Sequence, residues 1–543
     1  MKKLKVQIFL AFAGAVVILL AWPSLAYAQS FPRLKPLPPK KDAKLVAAHT
    51  ANAAKAAALP SPPPSLWQTL TNQPPVLDFV DCGPNNPLLL TDGTVMMQDA
   101  GCQDWWKLTP DAFGGYVNGT WTQLASLPSG YSPLYHSSAV LPDGRVIIMG
   151  GEYNFLKPMW TNLGAIYDPI ANTWTPVAAP PFFGGFGPFP QTIGDAQSVV
   201  LFDGTFMQAN CCTTQTALLD AKTLTWTETG SGKFDINDEE GWTLLPNKQV
   251  LTVDAYVFQY DPTGMNSEIY NPASGKWRSA GSTVVQIWDS AAACGGANSA
   301  TQEVGPAVLR PDGTVFYTGS NTCGPGFPGH TAIYKGTWTA GPDFPDPLNI
   351  ADGPAALEPN GKVLMMASPG FGNPPSTFLE WDGNNLTEIP GSPDAAIDGS
   401  YYGNMLVLPT GQILLSDFIS VVIYNPGGSY NPAWAPRIQK APSTVSPGGS
   451  YAISGHLFNG MSQGAAYGDD QQSATNYPLV RITNNATGHV FYSRTHDHSS
   501  MAVAFGGIVS TQFDVPAGQE SGASSLVVVA NGIPSAPVDV TVE

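Results

Sequence analysis

Two apolar runs hinged on Pro-Asp-Gly make up the phrase Tyr135-His-Ser-Ser-Ala-Val-Leu-Pro-Asp-Gly-Arg-Val-Ile-Ile-Met-Gly-Gly151, and shortened copies of it recur six more times. They are Leu88-Leu-Leu-Thr-Asp-Gly-Thr-Val95, Val199-Val-Leu-Phe-Asp-Gly-Thr-Phe206, Thr243-Leu-Leu-Pro-Asn-Lys-Gln-Val250, Ala307-Val-Leu-Arg-Pro-Asp-Gly-Thr-Val315, Ala355-Ala-Leu-Glu-Pro-Asn-Gly-Lys-Val363 and Leu406-Val-Leu-Pro-Thr-Gly-Gln-Ile-Leu414. Each predicts a β-hairpin, because Asp-Gly and Asn-Gly supply the positive φ that a tight turn between strands requires. Most copies are followed by a second hairpin that ends on a tryptophan, at Trp174, Trp226, Trp277 and Trp338, placed to pack between neighbouring sheets. Hairpin plus hairpin is a four-stranded blade, and a period of roughly 45 to 65 residues is that of a kelch-type β-propeller. The expected fold is therefore all-β, with a seven-bladed propeller over residues 76–430.

From Ala435 the blade grammar stops. Short β-prone runs replace it, at Leu479–Thr483, Val490–Tyr492, Thr511–Val515 and Ser525–Val529, and predict an immunoglobulin-like sandwich over 435–543. The 56 Gly and 51 Pro suit many short strands, while 43% apolar residues leave enough to fill the cores. A net charge of −17 argues against nucleic acid or an anionic membrane as partner.

The N-terminus carries Lys2, Lys3 and Lys5, an apolar run from Ile8 to Trp22, and Ala26-Tyr27-Ala28 before Gln29. These are the parts of a cleavable signal peptide over 1–28, which predicts a secreted or periplasmic protein with no membrane insertion after cleavage; an uncleaved anchor helix is the alternative, for which the run is somewhat short. Residues 29–75 read as a Pro- and Ala-rich tether. Export permits disulfides. Pairing Cys82 with Cys102 and Cys294 with Cys323 would close a loop within one blade each, although spacing alone leaves other connectivities open; Cys211 and Cys212 fit a vicinal disulfide, separate partners or two buried thiols.

In a propeller the first strand of each blade lines the axis, so residues at equal offsets before the turn glycine converge at one mouth. That ring is Pro84, Tyr135, Asp195, Glu239, Val304, Asp352 and Tyr402, with His136, Glu240 and Glu303 beside it. Asp195, Glu239 and Asp352 form an acidic axial ring suited to a hard cation such as calcium, or to hydrogen bonding the amides at the strand starts. The same carboxylates could in principle serve glycoside hydrolysis, but no spacing rule singles them out. No phosphate loop, nucleophile elbow or zinc motif is present, and no organic cofactor is expected.

Signal peptide, kelch-type propeller and C-terminal sandwich together resemble the galactose oxidase and glyoxal oxidase family of copper-radical enzymes, whose C-terminal module is an early-set domain, over residues 76–543. The resemblance implies a copper ion on the axis held by two Tyr and two His, one Tyr cross-linked to a Cys, and oxidation of an alcohol or aldehyde while dioxygen becomes hydrogen peroxide. It puts Tyr135 in the cross-linked slot, Tyr153 where an aromatic ring stacks over the cross-link, Tyr402 in the axial slot and His496 where the C-terminal domain sends a ligand into the channel. Two positions depart from the pattern. Gly403 stands where the family has a second histidine, and no cysteine matches the cross-linking one, Cys82 lying two residues out of register. His498 is the candidate substitute, since alternate residues of a strand share a face.

Two functions follow as expectations. One is a galactose-oxidase-like protein with a divergent copper-radical-type site at Tyr135, Tyr402, Tyr153, His496 and His498, whose activity the sequence leaves open. The other is a non-catalytic propeller that binds carbohydrate or an envelope component, with a divalent ion at Asp195, Glu239 and Asp352. A monomer is the default expectation for either.

Overall fold

The structure is a computed structural model that describes residue 37 and residues 66–75, 82–256, 265–289 and 301–543, all within one unit spanning Arg33–Glu543. The expected signal peptide, most of the tether and Cys294 lie outside the described residues.

Seven four-stranded antiparallel arrays follow the seven repeats. Blade 1 is Gly83–Leu89, Val95–Ala100, Trp105–Thr109 and Thr120–Gln123, and blade 2 is Ser137–Val140, Val146–Met149, Gly164–Asp168 and Thr173–Pro176. Blades 3, 4, 5 and 6 begin at Ser198, Thr243, Ala307 and Ala355 and end at Thr229, Ser279, Ala340 and Ile389. Blade 7 supplies Asn404–Val407, Ile413–Ser416 and Val421–Tyr424 from its own repeat. Its outer strand is Trp67–Thr69, paired Trp67 to Tyr424 and Thr69 to Val422, so residues expected in the tether close the ring instead. The physical reason is the open outer edge of a three-stranded last repeat, which a segment from the other end of the chain covers.

Every first hairpin turns through one residue of positive φ: Gly93, Gly144, Gly204, Gly313, Gly361, Gly411 and, in blade 4, Lys248 at 71°. Outer tryptophans tie blades 2, 3 and 7 to the segment that follows the blade before. Trp174 Nε1 donates to the Ala125 carbonyl at 2.9 Å, Trp226 to Ala178 at 2.8 Å and Trp67 to Pro390 at 2.7 Å.

The C-terminal domain is a sandwich whose two sheets share one strand. Residues 490–493 of Val490–His496 pair with Leu479–Asn484, whereas 494–496 pair with Ile508–Asp514. Val445, Ile453, Phe458, Val480, Ile482, Phe513, Leu526 and Val540 fill its core. The sandwich docks on the turn end of the blades: Gly93 lies flat on the Tyr492 ring, Gly361 against Trp434 and Gly411 against Gly532. Tyr477, Tyr492 and Val527 join the apolar core of blades 1 and 2, so propeller and sandwich share buried surface there.

One sandwich loop leaves that interface and runs up the axis. Ala465 and Ala466 pair with Ala356 and Ala355 as an extra inner strand on blade 6. The loop then crosses the strand-entry end, and comes back past Ser138 of blade 2, whose Oγ donates to the Gln472 carbonyl at 3.1 Å, and past blade 1, where Ser473 Oγ donates to the Pro87 carbonyl at 2.9 Å.

Candidate functional site

At the strand-entry end the chain bends sharply into several inner strands, through Tyr135 (φ 51°), Gly194 (68°), Glu239 (56°), Gln302 (63°) and Asp352 (59°). A side-chain-bearing residue held in this left-handed region costs of order 1–3 kcal/mol and persists where its surroundings fix it. The bends turn the following side chains toward the axis, where two different surfaces meet.

The first is acidic. Oxygens of Asp195, Glu239 and Asp469 lie within 4.8 Å of one another, and so do those of Glu239, Glu303 and Asp352. The two triads share Glu239, and all five residues are at most 2% exposed. Asp195, Glu239 and Asp352 are the ring expected from the repeat offsets. Glu303 was only its neighbour in that reading, and Asp469 was missed. Asp469 arrives on the axial loop, whose passage needs Gly468: a Cβ there would lie 1.9 Å from Asp352 Oδ1 and 3.1 Å from the Val304 carbonyl. The negative field of the cluster reaches Tyr256, whose phenol is raised well above its ordinary pKa by burial and then by Asp238, Glu239 and Glu303. Glu240, the next residue in sequence, turns away to Lys233 Nζ at 2.9 Å and to Thr252 Oγ1 at 3.1 Å.

The second surface is aromatic. Tyr135 and Tyr153 meet edge to face with centroids 6.2 Å apart, and they share an apolar cluster with Tyr401, Tyr402 and Phe418. Tyr402 lies 6.2 Å from Phe418 and hydrogen-bonds through its hydroxyl to that of Tyr401, which stacks on Phe371 at 5.6 Å. The axial loop joins the two surfaces, since Tyr467 donates from its hydroxyl to the Tyr401 carbonyl at 2.8 Å, two residues before Asp469. The structure thus brings Tyr135, Tyr153 and Tyr402 together.

It places both histidines elsewhere. His496 pairs with Asp497 at 2.8 Å and Asp514 at 3.2 Å on the sandwich. The His498 amide donates to the Pro142 carbonyl, at the turn end of the very blade 2 hairpin whose entry end holds Tyr135. Its ring stacks on Tyr477, bonds Thr511 Oγ1 at 2.9 Å and lines a pocket of about 590 Å³ with Asp143, Asp203 and Lys222. Burial depresses the His498 imidazole to about 3. The two histidines do not share a face because the strand ends at His496 and Asp497 adopts φ 53°. His136 is buried among neutral partners, Gln98 Oε1 at 2.8 Å, Asn86 and the Ser137 carbonyl, away from the tyrosines.

The residues present do not fit a copper-radical centre. A side chain at position 403 would begin 2.6 Å from Met366 Sδ and 3.0 Å from Pro354 Cγ, so the slot for the second imidazole is already filled. Cys82 is bonded to Cys102, as its spacing suggested, and is not available to Tyr135. Cys323 is disulfide-bonded too, whereas Cys211 and Cys212 are free and buried.

Comparison with known proteins bears on the fold. The Kelch motif model matches residues 133–181, which is blade 2 with its flanks. No curated protein matches the chain. Among solved structures it is similar to a streptogramin B lyase (11% identity, TM-score 0.43, covering 66% of this chain and 97% of that one). It is also similar to virginiamycin B lyase from Staphylococcus aureus (10%, 0.42, 66% and 97%) and to YjhT (14%, 0.33, 66% and 95%). With the matched motif and the repeated four-stranded arrays together, the fold is a kelch-type β-propeller.

Proposed function

We propose that this is an exported binding propeller, which holds a hard divalent cation on its axial carboxylates and takes a polyhydroxylated, carbohydrate-class ligand at the adjoining aromatic surface. The observation that carries the reading is the pair of overlapping carboxylate triads sharing Glu239, brought from four blade entries and one sandwich loop to within 4.8 Å. An all-oxygen, carboxylate-rich donor set suits calcium, magnesium or manganese and not the soft metals that imidazole and thiolate select. Partly exposed Tyr402, Leu156 and Phe371 offer flat apolar surface against which a sugar ring can lie, and a cation beside them offers a ligand for paired hydroxyls. The disulfide at Cys82–Cys102 agrees with the export expected from the N-terminal segment.

On this reading the likeness to the copper-radical oxidases is one of architecture alone. The test is calorimetric titration of the chelator-treated protein with calcium, followed by a glycan array read with and without calcium. Glu239→Gln, which removes the carboxylate common to both triads, is expected to abolish calcium uptake at the axis and calcium-dependent glycan binding together. Copper loading that yields a tyrosyl radical signal and peroxide from an alcohol would overturn the reading, as would a Glu239→Gln protein that binds calcium and glycan unchanged.

A further inference from the structure

We propose a second calcium site, separate from the axial carboxylates, formed by Asp394, Asp398 and Asp417 where blade 6 passes into blade 7. One oxygen of each lies within 4.8 Å of the others. Two oxygens each about 2.4 Å from one calcium ion can be at most about 4.8 Å apart, so the spacing of the three meets the limit that a common ion sets.

Asp394 and Asp398 stand four residues apart in Gly391-Ser-Pro-Asp-Ala-Ala-Ile-Asp-Gly399, a tight turn closed by the amides of Ile397 and Asp398 on the Asp394 carbonyl at 2.9 and 3.1 Å. Asp417 comes from the loop after the second strand of blade 7. Its Oδ1 accepts the amides of Ile419 and Ser420 at 3.0 and 2.7 Å, while Ser420 Oγ donates to Asp394 Oδ2 at 2.7 Å. These bonds orient two of the carboxylates and leave the third unexplained.

Asp398 is that third group, and it points to an ion independently of the clustering. It is 1% exposed and faces the other two carboxylates, and neither of its oxygens accepts from an amide, hydroxyl or ammonium among the described residues; its hydrogen-bond partner is the Asp417 carboxyl, a contact that requires one of the two acids to hold a proton. The fully buried hydroxyls of Ser400, two residues after Asp398, and of Ser416, next to Asp417, have no hydrogen-bond partner among the described residues. The charges acting on Asp398 are those of Asp417 and Asp394, both of its own sign. A buried carboxylate with only like charges around it is costly unless it takes up a proton or a cation completes it, and a cation does so for all three carboxylates at once. All the available donors are hard oxygens, which selects calcium-class ions.

The site has a mechanical consequence for the mouth. Asp398 lies four residues before Tyr402, and Asp417 immediately precedes Phe418, which packs on Tyr402. An ion here clamps the two segments that build one wall of the aromatic surface.

The experiment is a calcium titration of the chelator-treated full chain beside Asp398→Asn, Asp417→Asn and Glu239→Gln. Asp398→Asn is expected to lose one bound ion, or to bind it at least about tenfold more weakly, with the axial uptake retained. Glu239→Gln is expected to keep the Asp398 site, so the two readings fail separately. Unchanged stoichiometry and affinity in both aspartate variants would overturn the proposal. Should those variants not fold, terbium added to Glu239→Gln and excited through its tyrosines reads the same site, and the absence of a calcium-displaceable emission overturns it equally.

Discussion

In blade 4, Glu240, Asp254 and Glu268 surround an ammonium that the chain itself provides, whereas between blades 6 and 7 Asp394, Asp398 and Asp417 face one another. Lys233 Nζ lies 2.9, 3.6 and 2.6 Å from its three carboxylates, and its side chain is wholly buried. Burial opposes the lysine charge, but the carboxylates outweigh it and hold the ammonium above its ordinary pKa. Among the described residues no lysine or arginine does this for Asp398. Burial and the two neighbouring carboxylates push Asp398 well above the usual range, and burial with Asp394 pushes Asp417 to about 7. The difference separates a structural from a functional use of the same residue type. A counter-charge encoded in the chain makes a permanent staple, which here ties the segment before blade 4 to its strands. A counter-charge drawn from solution makes a site that can be filled and emptied.

The comparison breaks first at Lys233. Lys233→Met keeps most of the side-chain volume and removes the charge, leaving three buried carboxylates that must take up protons to stay inside. The expected loss is about 3–5 kcal/mol at pH 7, read as a fall in the urea midpoint at unchanged m-value. A loss below about 1 kcal/mol would mean that the group is not organised around its cation.

His136 offers a third answer to burial, which is to give up the charge. Its ring faces the neutral groups of Gln98, Asn86 and Ser137, and burial lowers it from 6.5 to about 4, with the backbone bond to Ser137 opposing. The sign follows from linkage. The unfolded chain takes up this proton near pH 6.5 and the folded chain does not until about 4, so the contribution is complete above pH 6.5 and is lost as pH falls toward 4. About 3 kcal/mol of stability should disappear over that interval. His136→Gln should remove that component of the pH dependence, and an unaltered acid limb in this variant would count against a neutral buried imidazole.

The scaffold was legible because its demands are local. A hairpin turn needs positive φ, and six of the seven turns declare it with glycine, Lys248 being the exception that only the repeat register reveals. The acidic ring was legible for the same reason, since equal offsets in a repeat place Asp195, Glu239 and Asp352 on one axis. Asp469 was not, because it rides on a loop of the sandwich that belongs to no repeat. Trp67–Thr69 is three residues long and pairs across more than 350 positions, too short for periodicity to mark it. The histidine reading failed at a single dihedral: residues 496 and 498 share a face only if the strand continues between them, and Asp497 ends it.

A smaller effect sharpens the comparison through its sign. Glu268→Gln should destabilise the protein by on the order of 1 kcal/mol in calcium and in chelator alike, because it takes acceptors from Lys233 and from the Phe234 amide at 2.9 Å. Asp398→Asn should raise the stability of the chelator-treated protein by on the order of 1 kcal/mol, by removing one of three like charges, and should lose the stabilisation that calcium confers on the parent. Denaturation of both variants in both conditions gives four numbers. If Asp398→Asn destabilises equally in each, the aspartates are a closed structural group like that of blade 4.

The smallest expected effect is an absence of reaction at Cys211 and Cys212, whose sulfurs lie within 4.8 Å of Asp238. Burial and then Cys212 raise the Cys211 thiol well above its ordinary pKa, with Asp195 and Asp238 adding to it. For Cys212 the hydrogen bond from Cys211 pulls the other way, but burial and the same two aspartates outweigh it and leave the thiol at about 11. A thiol reacts as its thiolate, so a disulfide reagent at pH 8 should label neither cysteine in the native protein and both once it is unfolded. Asp195 belongs to the axial triad, and the thiols therefore sample the same field as the proposed ion. Rapid native labelling would place thiolates at the edge of the axial carboxylates, adding negative charge that only a cation could offset. It would also erase the distinction between buried groups that this chain neutralises by itself and those that wait for an ion.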